Sequence, residues 1–553
     1  MSEVVHEGDD GPADADDASP AHGTEEARGA LGDRADPRGT ERARAMVQPA
    51  RRAAMPRVVR RVGGAAGAAP SVVILVADGV RPDTLSAALD EAALPALARL
   101  RAEGGLHAVT SVFPSVTGPA YAPFVMGRFP GPVGLPGLRW YDRARGRRTF
   151  PDRTRSYVGA EMRHVDGDLD AAAPTLFELA ARGGVEVAGR RSVAALNVIG
   201  RGLGRGDVVG RGAGFILRAA RTHFRGDVRG WLDIDRDVGA EVARLVRERR
   251  PAVTFAALTG VDKTSHSAGH AAPVVREALR IVDRTVERLR ADAERDGAWE
   301  GMRLWVVSDH GHSPVAAHDD LAALLRGWGH RTLAHPWVWS LRRPDVAVMV
   351  SGNAMAHLYL EPYHRERPWW PALAGRWEPL VAALLARESV DLMLLPHSPA
   401  RCEVRGAGAR GRAIVECTTG AGAAEGARYS YRPLDGDPLG VGPHEALDAG
   451  AAHAATLASD YPDAIVQIAH LAGAARAGDV ILSAARGWDF RERYEPIPHV
   501  SSHGALHRDH MLVPLLLDRP ATRPPRRTAD VMPSALEALG LPVPAGLDGE
   551  SFL

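Results

Sequence analysis

The sequence is poor in lysine, cysteine and aromatic residues and has no excess charge of either sign, and the charge balance and the cysteine count each exclude classes of protein. Lys263 is the only lysine among 553 residues, and 68 basic and 68 acidic residues leave no formal net charge. A chain without excess positive charge does not fit a protein that coats nucleic acid, so we expect no nucleic-acid partner. Two cysteines, Cys402 and Cys417, are too few for a disulfide framework or a cysteine-rich zinc module.

Long apolar runs are missing as well. No run approaches the roughly 18–20 residues that a membrane span needs, and the acidic N-terminus lacks the apolar core of a signal peptide. We therefore expect a cytoplasmic protein without a membrane span. Its polar N-terminal stretch, residues 1–69, is predicted to be a disordered extension, and residues 70–553 are predicted to fold.

Apolar strands alternate with helices along the folded part. Continuous aliphatic runs at 71–77, 254–258 and 302–307 are typical of buried parallel strands, and the stretch 82–105 is predicted to be one helix. This alternation predicts an α/β fold with a mostly parallel central sheet. Alternating polarity and glycine-rich turns predict a small β-rich insertion at about residues 395–440.

Aspartates and histidines follow several of the predicted strands. In open parallel sheets, ligands bind at the carboxyl ends of the strands. Carboxylate oxygen and imidazole nitrogen together suit zinc or a similar divalent ion, and three of each suit a two-metal hydrolase. The candidate metal ligands, which include one histidine near the C-terminus, are Asp78, Asp262, His266, Asp309, His310 and His503.

A hydroxyl group adds to this set. Thr117 is followed by Gly118, Pro119 and a short apolar segment, a pattern that is typical of a helix start. The free backbone N–H groups of a helix start would favour an anionic phosphoryl group beside the threonine hydroxyl.

Together, these segments resemble the alkaline phosphatase superfamily and, within it, the type I phosphodiesterase/nucleotide pyrophosphatase family. The resemblance implies an alkaline-phosphatase-like three-layer sandwich, with residues 70–553 as the catalytic domain. The motifs that carry it are ADG (77–79), FPSVT (113–117), G-x-x-P (127–130), D-x-x-x-H-x-x-G (262–269), SDHG (308–311), HG (503–504) and the ending LPVPAGLDGESFL.

The resemblance also implies a site with two divalent ions, expected to be zinc, with manganese or iron as alternatives. One ion would be held by Asp262, His266 and His503. The other would be held by Asp78, Asp309 and His310, with Thr117 bound to it as the nucleophile. The implied reaction is hydrolysis of a small phosphate ester, expected to be a phosphodiester, through a phosphothreonine intermediate. Coordination lowers the pKa of a hydroxyl that is otherwise a poor nucleophile.

The sequence departs from the family pattern around the substrate. Nucleotide-hydrolysing members read T-F-P-N-H from the nucleophile, whereas residues 117–121 read TGPAY. Gly118 therefore replaces the aromatic residue that would stack on a base. Leu138 lies near the position of the family's phosphate-binding asparagine, and Arg139 could take over as a clamp. We expect Gly118, Arg139 and Lys263 at the substrate, and nucleotide specificity stays open.

Several alternatives remain open. Ser115 could replace Thr117 as the nucleophile, and the protein could be a phosphomonoesterase, a phosphonate hydrolase or a non-catalytic metal-binding relative. Neither cysteine lies in the C-x-P-x-R setting of sulfatases. His312, His507 and His510 match no ligand position and are expected to support the ligands or lie in loops. The sequence leaves the oligomeric state open.

Overall fold

A computed structural model describes residues 69–145, 153–183, 191–196, 198–335, 343–419, 426–491, 495 and 497–553. The predicted N-terminal extension, apart from its last residue, lies outside the described residues, as does part of the predicted β-rich insertion. None of the helices in the described ranges combines the length and the apolar character that a membrane span requires.

The strands of the described residues alternate with helices in the first half of the chain and follow one another more closely in the second. They are β1 (Ser71–Ala77), β2 (Leu106–Thr110), β3 (Arg139–Tyr141), β4 (Thr154–Ser156), β5 (Val193–Ala195), β6 (Val208–Val209), β7 (Val253–Leu258), β8 (Met302–Val307), β9 (Ser313–His318), β10 (Thr332–Ala334), β11 (Val346–Ser351), β12 (Met355–Leu360), β13 (Val390–Ser398), β14 (Arg401–Gly406), β15 (Arg412–Thr419), β16 (Ala427–Pro433), β17 (His444–Leu447), β18 (Val480–Ala484), β19 (Gly487–Asp489), β20 (Ser501–Ser502) and β21 (Leu512–Leu516).

The α-helices of the described residues range from one turn to about six turns. They are α1 (Pro82–Asp90), α2 (Pro95–Gly104), α3 (Ala122–Met126), α4 (Val165–Asp168), α5 (Leu176–Arg182), α6 (Ala213–Phe224), α7 (Val228–Arg249), α8 (Gly260–Ala268), α9 (Pro273–Arg295), α10 (Leu321–Gly327), α11 (Trp370–Leu385), α12 (Ala449–Thr456), α13 (Ala464–Gly473), α14 (Arg508–Met511) and α15 (Val531–Ala538). Short 3₁₀ turns are Pro119–Tyr121, Gly159–His164, Arg205–Asp207, Trp299–Gly301, Gly408–Arg410 and Thr528–Asp530.

The predicted single helix at 82–105 is wrong, because the chain forms α1 and α2 instead. Ala92 adopts a positive φ of 55° between them. Leu94 precedes Pro95 and has a non-helical backbone, since the proline ring disfavours helical geometry in the residue before it. The break turns the chain so that α2 packs against α9 and β21.

The central sheet has the order β2-β21-β8-β1-β7-β5-β6. Strands β8, β1, β7, β5 and β6 run parallel to one another, whereas β21 is antiparallel to β8 and β2 is antiparallel to β21. All seven residues of β1 are buried, as expected for a strand that is covered on both faces. The predicted α/β fold with a mostly parallel central sheet is confirmed.

A second sheet has the order β10-β11-β12-β18-β13-β14-β15-β16-β17 and is antiparallel apart from its first pair. The segment predicted to be a β-rich insertion contributes the end of β13 and all of β14 to β16, so the chain does carry an additional β-rich sheet. That sheet also takes strands from 346–360 and 480–484. The boundaries of the insertion stay a prediction.

Candidate active site

The candidate site lies at the carboxyl ends of three adjacent parallel strands. In the sheet, β1 lies between β8 and β7. Asp78 directly follows β1, Asp309 follows β8 by two residues, and Asp262 lies in the first turn of α8, which follows β7. Because neighbouring parallel strands end at the same edge, the sheet brings together carboxylates that are far apart in the sequence.

The start of α8 is fixed by a buried carboxylate of α7. Asp235 accepts hydrogen bonds from the backbone N–H of Thr259 at 3.0 Å and of Gly260 at 2.6 Å. Burial raises the pKa of Asp235 to about 7, although these two donors oppose the shift. The same helix carries Asp262 and His266 one turn apart, so Asp235 positions two of the predicted ligands.

The threonine hydroxyl lies among groups from two strand ends. Thr117 Oγ1 is 3.2 Å from Asp78 Oδ1, 3.3 Å from Asp78 Oδ2 and 3.1 Å from His310 Nε2. His310 Nε2 is also 3.3 Å from Asp78 Oδ1 and 3.5 Å from Asp309 Oδ2. Thr117 is partly exposed, whereas Asp78, His310 and Asp309 are buried. The hydroxyl is therefore the accessible member of a buried cluster.

The second group is centred on one oxygen of Asp262. Its Oδ1 is 3.2 Å from His266 Nε2 and 3.4 Å from His503 Nε2. His503 also stacks on the His310 ring, with ring centroids 3.7 Å apart. The stacked pair joins this group to the cluster around Thr117, so all seven predicted ligand residues lie in one continuous site.

Proton positions show why these groups fit cations. The Nδ1 atoms of His266, His503 and His310 face backbone carbonyl oxygens at 2.9, 3.1 and 3.2 Å. A carbonyl only accepts, so each Nδ1 carries the hydrogen and the Nε2 of a neutral ring presents its lone pair. In His266 and His503, this lone pair points at Asp262 Oδ1. Two facing acceptors repel each other unless a positive charge lies between them, and backbone carbonyls orient metal-bound histidines in this way.

Asp309 lacks sufficient positive charge in its surroundings. Burial and the neighbouring Asp78 raise the pKa of Asp309 well above its usual value, and its buried Oδ2 has no hydrogen-bond partner among the described residues. Burial opposes charge on His310, but Asp309 and Asp78 raise its pKa to about 9. Divalent ions would relieve the same repulsion, because carboxylate and imidazole are suitable ligands for zinc. The residues present therefore fit divalent metal ions.

The three predicted substrate residues lie around this site with different partners. Lys263 Nζ is 2.7 Å from Asp262 Oδ2, and its side chain remains a quarter exposed. Arg139 faces Glu495, with Nη1 and Oε1 3.7 Å apart. Gly118 follows the nucleophile candidate with a φ of 98°. Contact of these three residues with substrate stays a prediction.

The ring of Tyr157 occupies the space beside Gly118. A Cβ atom at position 118 would lie 2.3 Å from Tyr157 Cδ1. The buried ring of Tyr157, which directly follows β4, thus occupies the space that a side chain at position 118 would need. Neither φ nor the available space permits a side chain at 118.

We expect Gly118→Ala to lower the free energy of unfolding by about 1–3 kcal/mol, from backbone strain and overpacking. Denaturant unfolding followed by circular dichroism measures the change. Gly167→Ala is the matched control, because a Cβ there meets no atom within 4 Å. Equal stability of both variants would contradict this packing.

Two residues at the site were not assigned a direct role from the sequence. Tyr121 donates a hydrogen bond to Asp78 Oδ2 at 3.1 Å, and His312 Nε2 lies 3.0 Å from Asp262 Oδ1. The ligand atoms that lie within 4.8 Å of one another form two groups, which are Asp262, His310, His312 and His503, and Asp78, Asp309 and His310. In the sequence, a role for His312 is indicated only by its position directly after the SDHG motif at 308–311.

The remaining histidines near the motifs point elsewhere. His510 accepts from the Ala505 N–H at 3.0 Å and contacts Ser313 Oγ at 2.8 Å. His507 Nδ1 lies 3.5 Å from Asp509 Oδ2. Both rings are buried at α14, and in these contacts they face neither carboxylate group of the site.

The profile of the family described as "Type I phosphodiesterase / nucleotide pyrophosphatase" matches residues 72–367, more than half of the chain. The chain belongs to this family. The family is metal-dependent, and membership makes the protein a phosphoric ester hydrolase of the alkaline phosphatase superfamily. The match contains six of the seven predicted ligand residues, whereas His503 lies beyond it.

Solved structures support the same fold. Phosphonoacetate hydrolase from Sinorhizobium meliloti 1021, in complex with phosphonoformate, has a TM-score of 0.50 at 18% identity, over 86% of this chain and 96% of that chain. Human ectonucleotide pyrophosphatase / phosphodiesterase 5 also has a TM-score of 0.50, at 13% identity, over 87% and 97%. No curated protein matches the chain. The alkaline-phosphatase-like fold is thus confirmed.

Proposed function

We propose that the protein hydrolyses phosphodiesters at a two-metal site, with Thr117 as the nucleophile. The observation that carries the proposal is the position of the Thr117 hydroxyl, which is partly exposed and within 3.3 Å of Asp78 and His310. Asp262, His266 and His503 would hold one divalent ion, and Asp78, Asp309 and His310 the other, with zinc as the expected metal. Bound there, the ions would lower the pKa of the hydroxyl and neutralise phosphate oxygens.

The residues of the chain have defined tasks in this reaction. Thr117 Oγ1 forms a bond to phosphorus as the bond to one alcohol breaks; the threonine hydroxyl gives its proton to water, and the leaving oxygen takes a proton from water. The intermediate keeps the second ester group of the diester. In the second half, a water oxygen attacks phosphorus and gives up one proton to the solvent, while the bond to Oγ1 breaks and Oγ1 takes up one proton from the solvent. Tyr121 holds Asp78 Oδ2 in place by its hydrogen bond.

Ser115 is poorly suited to the same task. Its hydroxyl is fully buried and donates a hydrogen bond to the Ala505 carbonyl oxygen at 2.9 Å. Direct attack on a substrate would require this hydrogen bond to break and the side chain to reach the surface. Thr117 therefore remains the proposed nucleophile.

The surroundings of Thr117 favour a substrate without a stacked base. Gly118 offers no ring, and Tyr157 beneath it is buried. A phosphonate is the second candidate substrate class, since one solved structure with the same fold is a phosphonoacetate hydrolase. Arg139 and Lys263 would then contact the second anionic group of such a molecule.

A panel of substrates tests the proposed function. Purified protein with its metal content measured should cleave a chromogenic phosphodiester faster than the matching monoester, nucleotide or phosphonate. If the protein cleaves the monoester or phosphonoacetate faster than the phosphodiester, the proposed substrate class is wrong and the faster substrate indicates the right one. A metal-loaded protein that cleaves none of the panel would favour a non-catalytic relative.

We expect Lys263→Met to lower kcat/KM by about tenfold, because the buried Asp262 Oδ2 loses its charged partner. Lys263→Arg keeps a positive charge and should stay close to wild type. Steady-state kinetics with metal content measured in parallel checks both variants. Wild-type kinetics in Lys263→Met would mean that the ammonium contributes nothing to the site.

A further inference from the structure

His312 is a buried histidine beside Asp262 for which the proposed two-metal site has no task. It directly precedes β9, and its ring is fully buried. Its Nε2 lies 3.0 Å from Asp262 Oδ1, closer than the Nε2 atoms of His266 and His503. Three imidazole rings thus converge on one carboxylate oxygen.

The hydrogen bonds around His312 fix which ring nitrogen carries the hydrogen. Ser501 Oγ lies 3.2 Å from His312 Nδ1 and 3.0 Å from the Ser313 carbonyl oxygen. The serine has one hydroxyl hydrogen, and the carbonyl can only accept, so that hydrogen goes to Ser313. The serine oxygen then accepts from His312 Nδ1. A neutral His312 therefore presents the lone pair of Nε2 to Asp262 Oδ1.

A glycine in the neighbouring turn leaves His312 the room that it needs. A Cβ atom at Gly79 would lie 2.9 Å from His312 Nε2, so the glycine of the ADG turn allows the ring to face Asp262.

We propose that His312 Nε2 is a direct ligand of the divalent ion held by Asp262. The inference rests on the proposed two-metal function and adds a protein ligand to it. Asp262 and His312 belong to the compact group that also contains His310 and His503, and His266 is not in that group among the described residues. An additional imidazole makes this centre richer in nitrogen, which favours zinc over magnesium or manganese.

Metal affinity tests the assignment without relying on turnover. Zinc binding to the metal-free full chain is measured by competition with a chromogenic chelator, and cobalt(II) absorption reports the ligand set. His312→Ala should weaken one of two ions by more than about 100-fold and change the cobalt spectrum. Ser501→Ala, which keeps the ring but removes its hydrogen-bond partner, should weaken the same ion by about tenfold.

His510→Ala is the matched control, because this buried ring accepts from a backbone N–H and faces Ser313 rather than a carboxylate. It should bind both ions as wild type does. If His312→Ala does not fold, judged by circular dichroism, His312→Gln is measured instead. A His312 variant with wild-type affinity and an unchanged cobalt spectrum overturns the inference. Failure of the wild-type protein to bind two ions would instead count against the proposed function.

Discussion

Thr117→Ala is expected to lower kcat for a phosphodiester by at least about 10³-fold, because the Thr117 hydroxyl is the proposed nucleophile and lies within hydrogen-bond distance of both Asp78 and His310. Thr117→Ser keeps a hydroxyl and should retain a measurable part of the rate. Steady-state kinetics on purified variants measures both. Metal content and the circular dichroism spectrum should stay those of the wild type, because the substitution removes one methyl and one hydroxyl from a partly exposed position.

Ser115→Ala separates the two candidate nucleophiles. The Ser115 hydroxyl donates to the Ala505 carbonyl oxygen, so its loss should affect stability more than turnover. A Ser115→Ala variant without activity, combined with an active Thr117→Ala variant, would reverse the assignment. Loss of metal in Thr117→Ala would instead show that the threonine acts mainly on metal binding.

Removal of metal is expected to abolish activity and to lower the thermal midpoint. Three buried aspartates, Asp78, Asp262 and Asp309, lie together in the site, so repulsion between their negative charges destabilises the fold when cations are absent. A ligand present at 1,000 times its Kd stabilises the folded state by about 4 kcal/mol for each site. Calorimetry of chelator-treated protein, before and after zinc is returned, measures the difference.

The Thr117→Ala variant is the control for this experiment. It should show nearly the same loss of thermal stability on chelation, although it has little activity to lose, because the six Asp and His ligands remain. Protein that is metal-free by elemental analysis and still fully active would contradict the two-metal account.

Much of the site could be predicted because parallel strands impose a simple rule. The run 71–77 and the run 302–307 are strands with the predicted bounds, and each is followed by a predicted ligand. Strands β1, β7 and β8 are neighbours in the sheet, so residues at their carboxyl ends meet whatever their separation along the chain. The order and spacing of the motifs along the chain were therefore enough to predict that their residues form one site.

Other features depend on contacts that no spacing rule contains. His312 meets Asp262 across 50 residues of sequence, and its proton position is set by Ser501, a further 189 residues along. The ring beside Gly118 comes from Tyr157, which directly follows β4 and lies 39 residues further along the chain. The single helix predicted at 82–105 is broken by Pro95 and by the positive φ of Ala92, and the sequence does not reveal the second of these.

The central claim is that Thr117 is phosphorylated during turnover. Acid quenching of the enzyme with a phosphodiester substrate, followed by proteolysis and mass spectrometry, tests it most directly. The account predicts an adduct on the peptide that contains Thr117, with the mass of the phosphate and the ester group that the substrate retains, located at Thr117 by fragmentation and absent from Thr117→Ala. An adduct on Ser115 or on any other residue would contradict the account, as would steady turnover by Thr117→Ala at the wild-type rate.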